Sequence, residues 1–421
     1  MQRFIYILLI SAFCLVSCRH EATTLFELVP SSHTGVGFNN LITQKDPAPA
    51  KTGFSYGGGI GVADFNNDGL QDLYFSGNMT SNRLYLNRGN FRFEDITETA
   101  GVDGLDRWAR GVTVIDINSD GLTDLYISTK GGGLLYINLG NNKEGIPQFK
   151  EQSAAYGLKL PLPSSMASFV DYDNDGEPDL YLSENESSGR FMHSVWNTRL
   201  NHPVFEEVTA KTLATPLVQE YLKQLQYTTP LKDLIDLDND GMADQIKLDL
   251  SPQDDYHQKA ITHNSGYKNA GSGIFTDKSA PWGLTQKSYS SSAVYADLNN
   301  DGAMDLVVSN LNDEAFIYRN TVRDKDLGKA NFIQFKFIGS AHNTSGLGTR
   351  IKIWYDHGKH QDTENNPYRS YLASDQNVAH FGLGQVKVLD SAVINWPSGR
   401  KQVMTRVKAN QFLIADFENA H

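Results

Sequence analysis

Five stretches of the chain set oxygen-bearing side chains at one shared nine-residue spacing. Positions 1, 3, 5 and 9 are Asp64, Asn66, Asp68 and Asp72 in the first, and Asp116, Asn118, Asp120 and Asp124 in the second. They are Asp171, Asp173, Asp175 and Asp179 in the third, Asp236, Asp238, Asp240 and Asp244 in the fourth, and Asp297, Asn299, Asp301 and Asp305 in the fifth. Position 6 is glycine every time. Oxygens at this spacing form a cage for a hard cation, to which the backbone carbonyl of position 7 (Leu70, Leu122, Glu177, Met242, Ala303) would add a ligand. Ca2+ suits the cage because it accepts about six to eight oxygens in flexible geometry, whereas Mg2+ wants a strict octahedron and keeps its waters. The glycine lets the loop turn sharply without strain. Asp/Asn/Gly runs are also ordinary turn chemistry. Five copies with the same polar skeleton favour the metal, since three or four carboxylates facing one point repel unless a cation sits among them.

The elements that must hold these loops are strands. An EF-hand needs a bidentate Glu at position 12 between two helices, yet position 12 is Phe75, Ile127, Leu182, Lys247 and Val308. The flanks alternate or run apolar, as in Gly111–Ile115 before the second loop and Leu125–Ser128 after it. With Leu134–Asn138 and Gln148–Ser153 these predict a four-stranded antiparallel unit. The loops start at 64, 116, 171, 236 and 297, a mean spacing of about 58. A Phe-led strand alternates with them, at Phe26, Phe93, Phe149, Phe205 and Phe275. Repeated four-stranded units at this period predict a β-propeller. The orphan strand at Phe26–Val29 precedes the first loop, and the last unit lacks its own fourth strand, so the N-terminal strand is expected to complete the last blade. Small residues at the start of each inner strand, such as Gly57–Gly61, suit strands that converge on an axis. That Gly run has no following Gly-Lys-Ser/Thr, so nucleotide binding is excluded. Residues 210–228 are expected to form a short amphipathic helix.

A net charge of -12 argues against nucleic-acid binding, which needs clustered Lys and Arg. The loops themselves hold 17 aspartates, so bound calcium would cancel much of that charge. Arg3, an apolar run from Phe4 to Leu15 and then Leu15-Val16-Ser17-Cys18 read as an export signal, residues 1–17. The last four resemble the bacterial lipobox, which implies lipid attachment to Cys18 and a tether over 18–25. Cys14 lies inside the signal, so the mature chain would have no internal disulfide, and calcium is the expected staple.

On the loops and Phe-strands, residues 26–320 resemble the FG-GAP/VCBS repeat proteins, a family that includes the integrin α-subunit propeller. The fourth copy fits less well, because Gln245-Ile246-Lys247 replaces the usual apolar strand. After a charged linker at 321–331, residues 332–417 carry Gly346-Leu-Gly-Thr-Arg350, Phe381-Gly-Leu-Gly384 and Trp396-Pro-Ser-Gly-Arg400. These resemble the ASPIC/UnbV domain of the cartilage acidic protein family. The resemblances imply an all-β chain: a β-propeller of FG-GAP/VCBS blades, five evident and up to seven possible, with Ca2+ in its loops, then a small C-terminal β-sandwich-like domain.

The sequence contains no Gly-x-Ser-x-Gly, no His-Glu-x-x-His and no cysteine nucleophile. Arg107, Trp108 and Arg110 precede an inner strand, where an aromatic between two Arg could stack on a sugar or grip an anion. The leading expectation is a calcium-stabilised, lipid-anchored module of the bacterial envelope, at the outer membrane and facing periplasm or surface, that binds a protein or glycan. The alternatives are a polysaccharide-active propeller enzyme of lyase or dehydratase type, and a purely structural envelope component.

Overall fold

The computed structural model describes residues 24–42, 57–173, 175–185, 188–209, 234–248, 262–325 and 329–421. The signal segment, Cys18 and the helix expected at 210–228 lie outside the described residues. Blade one comprises β2 (Ile60–Ala63), β3 (Asp72–Phe75), β4 (Arg83–Asn87) and β5 (Phe93–Asp95), preceded in the chain by β1 (Phe26–Val29). Blade two is β6 (Ala109–Ile115), β7 (Asp124–Thr129), β8 (Leu134–Asn141) and β9 (Pro147–Glu151). Blade three is β10 (Met166–Val170), β11 (Asp179–Asn185), β12 (Ser188–Asn197) and β13 (His202–Glu207). Blade four is β14 (Leu234–Ile235), β15 (Asp244–Lys247), β16 (Ser265–Asn269) and β17 (Phe275–Asp277). Blade five is β18 (Tyr289–Ala296), β19 (Asp305–Leu311) and β20 (Phe316–Asn320), completed by β1. Phe26 pairs with Asn320 and Val29 with Ile317, antiparallel, as the orphan strand predicts.

The inner strands β2, β6 and β18 are buried at every residue, because both faces of a blade press on neighbouring blades. Their apolar stretches therefore run continuously instead of alternating. Separate apolar cores join blade five to one, one to two, two to three and four to five. Among the described residues, no core cluster joins blades three and four. The repeats thus form five four-stranded sheets among the described residues, within the expected range of five to seven.

The C-terminal region forms two facing sheets. One orders β24 (Ala379–Gly384), β21 (Asn331–Ile338) and β27 (Gln411–Asp416); the other orders β23 (Lys359–Glu364), β22 (Arg350–Tyr355), β25 (Val388–Asn395) and β26 (Lys401–Lys408). Their inner faces share one core that includes Phe335, Ile353, Phe381, Ile394 and Trp396. The Trp396-Pro-Ser-Gly run is a turn, with the Gly399 N–H donating to the Trp396 carbonyl and Gly399 left-handed at φ 84°. The polar strands β23 and β26 have too weak a hydrophobic pattern to be seen in the sequence.

Between β23 and β24 a strap, residues 366–378, leaves this domain and enters the propeller axis. The Ser374 N–H donates to Ile60 O in blade one, and Val62 N–H donates back to Ser374 O. The Tyr368 hydroxyl donates to Val114 O and the Ser374 hydroxyl to Val112 O in blade two, while the Tyr368 ring packs on Phe169 in blade three. Tyr295 N–H in blade five donates to Asp375, and Asp297 N–H to the Gln376 side chain. Ala373 and Ser374 are wholly buried. The small residues of blade one now have a specific cause, since a Cβ on Gly59 would come within 1.9 Å of the Leu372 carbonyl oxygen. Leu372 itself is left-handed at φ 61°, a conformation that costs a non-glycine residue roughly 1–2 kcal/mol and persists only when its surroundings fix it.

Candidate metal centres

The five Asp-loops share one construction, set by side chains folded back onto their own backbone. In loop one Asp64 accepts the N–H groups of Asp68 (2.9 Å) and Gly69 (2.8 Å), and Asp68 accepts that of Leu70 (2.9 Å). Asp72 takes the N–H of Phe65 on one oxygen (2.9 Å) and of Asn87 on the other (2.8 Å). The same bonds recur at Asp116, Asp120 and Asp124, at Asp171, Asp175 and Asp179, and at Asp236, Asp240 and Asp244. They recur again at Asp297, Asp301 and Asp305. The position-9 aspartate is thus the pin of each blade: fully buried, it ties the loop to the third strand. In the loops with asparagine at position 3, the amides of Asn66, Asn118 and Asn299 reach the carboxylates of Asp68, Asp120 and Asp301. Carboxylates converge tightly in the all-Asp loops, where ligand atoms of Asp171, Asp173 and Asp179, and of Asp236, Asp238 and Asp244, lie within 4.8 Å of one another.

These acids are held in an environment hostile to their charge. Burial pushes the carboxyls of Asp72, Asp124, Asp236 and Asp305 well above the usual range, and neighbouring loop carboxylates push further the same way. Burial, again with neighbouring carboxylates, raises Asp171 to about 6 and Asp179, Asp244 and Asp297 to about 7. A divalent cation supplies what such a site lacks. The oxygen donors at positions 1, 3, 5 and 9 of loops one, two, three and five fit a calcium ion. Glu177 differs at its side chain, which turns away from its loop to accept the Trp196 N–H and meet His342.

Position 4 has a role invisible in the ligand pattern. Asn67, Ser119, Asn239 and Asn300 sit there in the left-handed region, with φ between 53° and 60°. Three of them reach the next loop: Asn67 donates to Gly121 O, Asn239 to Gly302 O and Asn300 to Gly69 O. Asparagine tolerates that backbone and carries a donor.

The C-terminal domain sits on the loops. Its Thr344 hydroxyl donates to Asp116 (2.6 Å) and its Gln334 amide to Asp297 (3.2 Å). His342 stacks on Trp196 and contacts Glu177 of the third loop. His380 Nε2 meets the Asn239 side chain at 2.9 Å, and Gly384 N–H donates to Asn239 O. A Cβ on Gly382 would come within 1.9 Å of Asp236 Oδ2, so the Phe-Gly-Leu-Gly run is the seat for loop four. Only the three-dimensional fold makes this contact visible, because Gly382 and Asp236 lie far apart in the chain.

Arg107, Trp108 and Arg110 differ in exposure, from exposed through half-buried to buried. Arg110 is buried and donates to the Ser165 hydroxyl (2.7 Å) and to Tyr371 of the strap (3.2 Å). Arg107 is exposed and reaches Gly131 O, while Lys130 lies over Trp108 at 5.6 Å. A cavity of about 140 Å3 lies between blades four and five and the C-terminal domain, bordered by Asp236, Arg369, Asp375 and His380. No helix among the described residues is long and apolar enough to cross a membrane.

Comparison with known proteins matches residues 64–127, 116–182 and 236–308 to FG-GAP-like repeats, and 339–420 to the ASPIC and UnbV family. The chain is 26% identical over 197 residues to human cartilage acidic protein 1, covering 46% of this chain and 28% of that protein. It is 27% identical over 167 residues to the Xenopus tropicalis protein of the same name, covering 39% and 25%. It is also 28% identical over 150 residues to integrin alpha-3 of Cricetulus griseus, covering 31% and 14%. The chain thus spans about a quarter of the length of the cartilage acidic proteins it matches.

Proposed function

We propose that this chain, an FG-GAP-like repeat protein closed by an ASPIC and UnbV domain, is a calcium-stabilised binding module of adhesion type that recognises an extracellular or envelope protein or glycan. The observation that carries the reading is the repeated cage of buried, mutually repelling carboxylates with the C-terminal domain seated over it. Calcium in the loops would neutralise that acid ring and brace the seat. Residues 1–23 supply the second part of the proposal: cleavage before Cys18 and lipidation of its sulfur would tether the module to the envelope. The strap weighs against the polysaccharide-enzyme alternative, since it fills the axis where a catalytic cluster would have to converge and engages Arg110. The test is a glycan and matrix-protein array probed with and without Ca2+. Calcium-dependent capture of a defined ligand supports the proposal, and no capture in either condition leaves a purely structural role. Replacing Cys18 by Ser should release the protein from the membrane fraction; continued fractionation with membrane would overturn the anchor.

A further inference from the structure

The five blades can be compared at a single position, the residue just before the third-strand residue whose N–H donates to the position-9 aspartate. Those donors are Asn87, Asn138, Ser194, Asn269 and Asn320. The preceding residues are therefore Leu86, Ile137, His193, Lys268 and Arg319. In blades one and two this position is aliphatic and buried. In blade five the Arg319 guanidinium turns outward to Asp324, at 2.6 and 2.7 Å. In blade three the His193 ring bonds Asp179 at 2.9 Å and stays 3.6 Å from Asp173. Lys268 alone places a full ammonium on the position 3 and 5 carboxylates, bonding Asp238 and, at 2.7 Å, Asp240.

We infer that loop four binds no calcium, and that the Lys268 ammonium stands permanently in the ion's place. This rests on the calcium reading of the other loops. A calcium ion would need the same two carboxylates at about 2.4 Å. It cannot take them while an ammonium donates to both, because two cations within a few ångströms of each other repel strongly at low dielectric. Loop four is also covered by the C-terminal domain, with Asp236 against Gly382 and Asn239 held by His380 and Gly384. A tethered cation suits that place, since it cannot dissociate and leave the covered acids bare. Seating of the C-terminal domain on blade four is then independent of calcium supply, while its contacts with Asp116 and Asp297 are not.

The test counts bound calcium by native mass spectrometry and equilibrium dialysis on the purified full chain. Lys268→Leu, which installs the residue type of blade one, should bind one calcium more than the unaltered protein, and its melting temperature should become more calcium-dependent. Asp240→Asn in the unaltered background should leave the count unchanged, whereas Asp120→Asn should lower it by one. Equal non-zero counts for Lys268→Leu and the unaltered protein, or loss of one ion on Asp240→Asn, would overturn the inference. Zero calcium in every sample would instead sink the calcium reading itself.

Discussion

Opposite responses to pH should separate the calcium-free from the calcium-loaded protein. Asp179 and Asp297 are buried carboxyls raised to about 7, far above their unfolded value near 3.8. A group raised in the folded state binds its proton more tightly there, so stability increases as pH falls through the folded value and is lost as pH rises through it. Between about pH 8 and about pH 6.5, each such carboxyl contributes roughly 1 kcal/mol, so the pair contributes about 2 kcal/mol, or a few degrees of melting temperature. The carboxyls pushed higher, such as Asp72, Asp124 and Asp305, act in the same direction. His380, pushed down to about 4 by burial, works the other way, but mainly below the unfolded histidine value of about 6.5. At the lower end of the window it takes back only about 0.4 kcal/mol. Calcium reverses the slope, because protons then compete with the ion for the same oxygens. The assay is thermal unfolding at both pH values, in EDTA and in excess Ca2+. Chelated protein should melt higher at the lower pH, and loaded protein should not. Slopes of one sign in both conditions would refute the idea that these acids are held together against their own repulsion.

Chelation at constant pH should lower the melting temperature by many degrees, since each site held at a hundred times its dissociation constant adds about 2.7 kcal/mol; coincident melting curves would reduce the loops to plain turns. Asp120→Ala should remove one ion and leave the other blades folded, as expected where repeats couple mainly to neighbours; native mass spectrometry and circular dichroism together check this. Leu372→Ala truncates a buried side chain of the strap and should cost about 2–5 kcal/mol in denaturant unfolding, with faster proteolysis between the two domains.

Much of this architecture could be read from local residue order. The loop skeleton, the strands around Gly111–Ile115 and Leu125–Ser128, and completion of blade five by Phe26–Val29 all appear as expected. These features depend on period and turn chemistry, which a linear sequence displays directly. The strap was not legible, because Tyr368, Leu372 and Ser374 make their bonds to partners more than 250 residues away. Nor was Lys268, which lies 28 residues from Asp240 and meets it only because β16 folds back beside the loop. The setting of Arg110 was not legible for a related reason, since Tyr371, which accepts from it, is encoded 261 residues downstream.

The strap also dictates an order of events during biosynthesis. Residues 366–378 emerge after every blade has been made, yet Ile60, Val62, Val112 and Tyr295 wait for them as hydrogen-bond partners. Contacts this distant along the chain form slowly. A nascent propeller must therefore persist with a hollow centre and unpaired inner edges, a sticky intermediate of the kind that aggregates, until the last fifth of the polypeptide arrives to fill it.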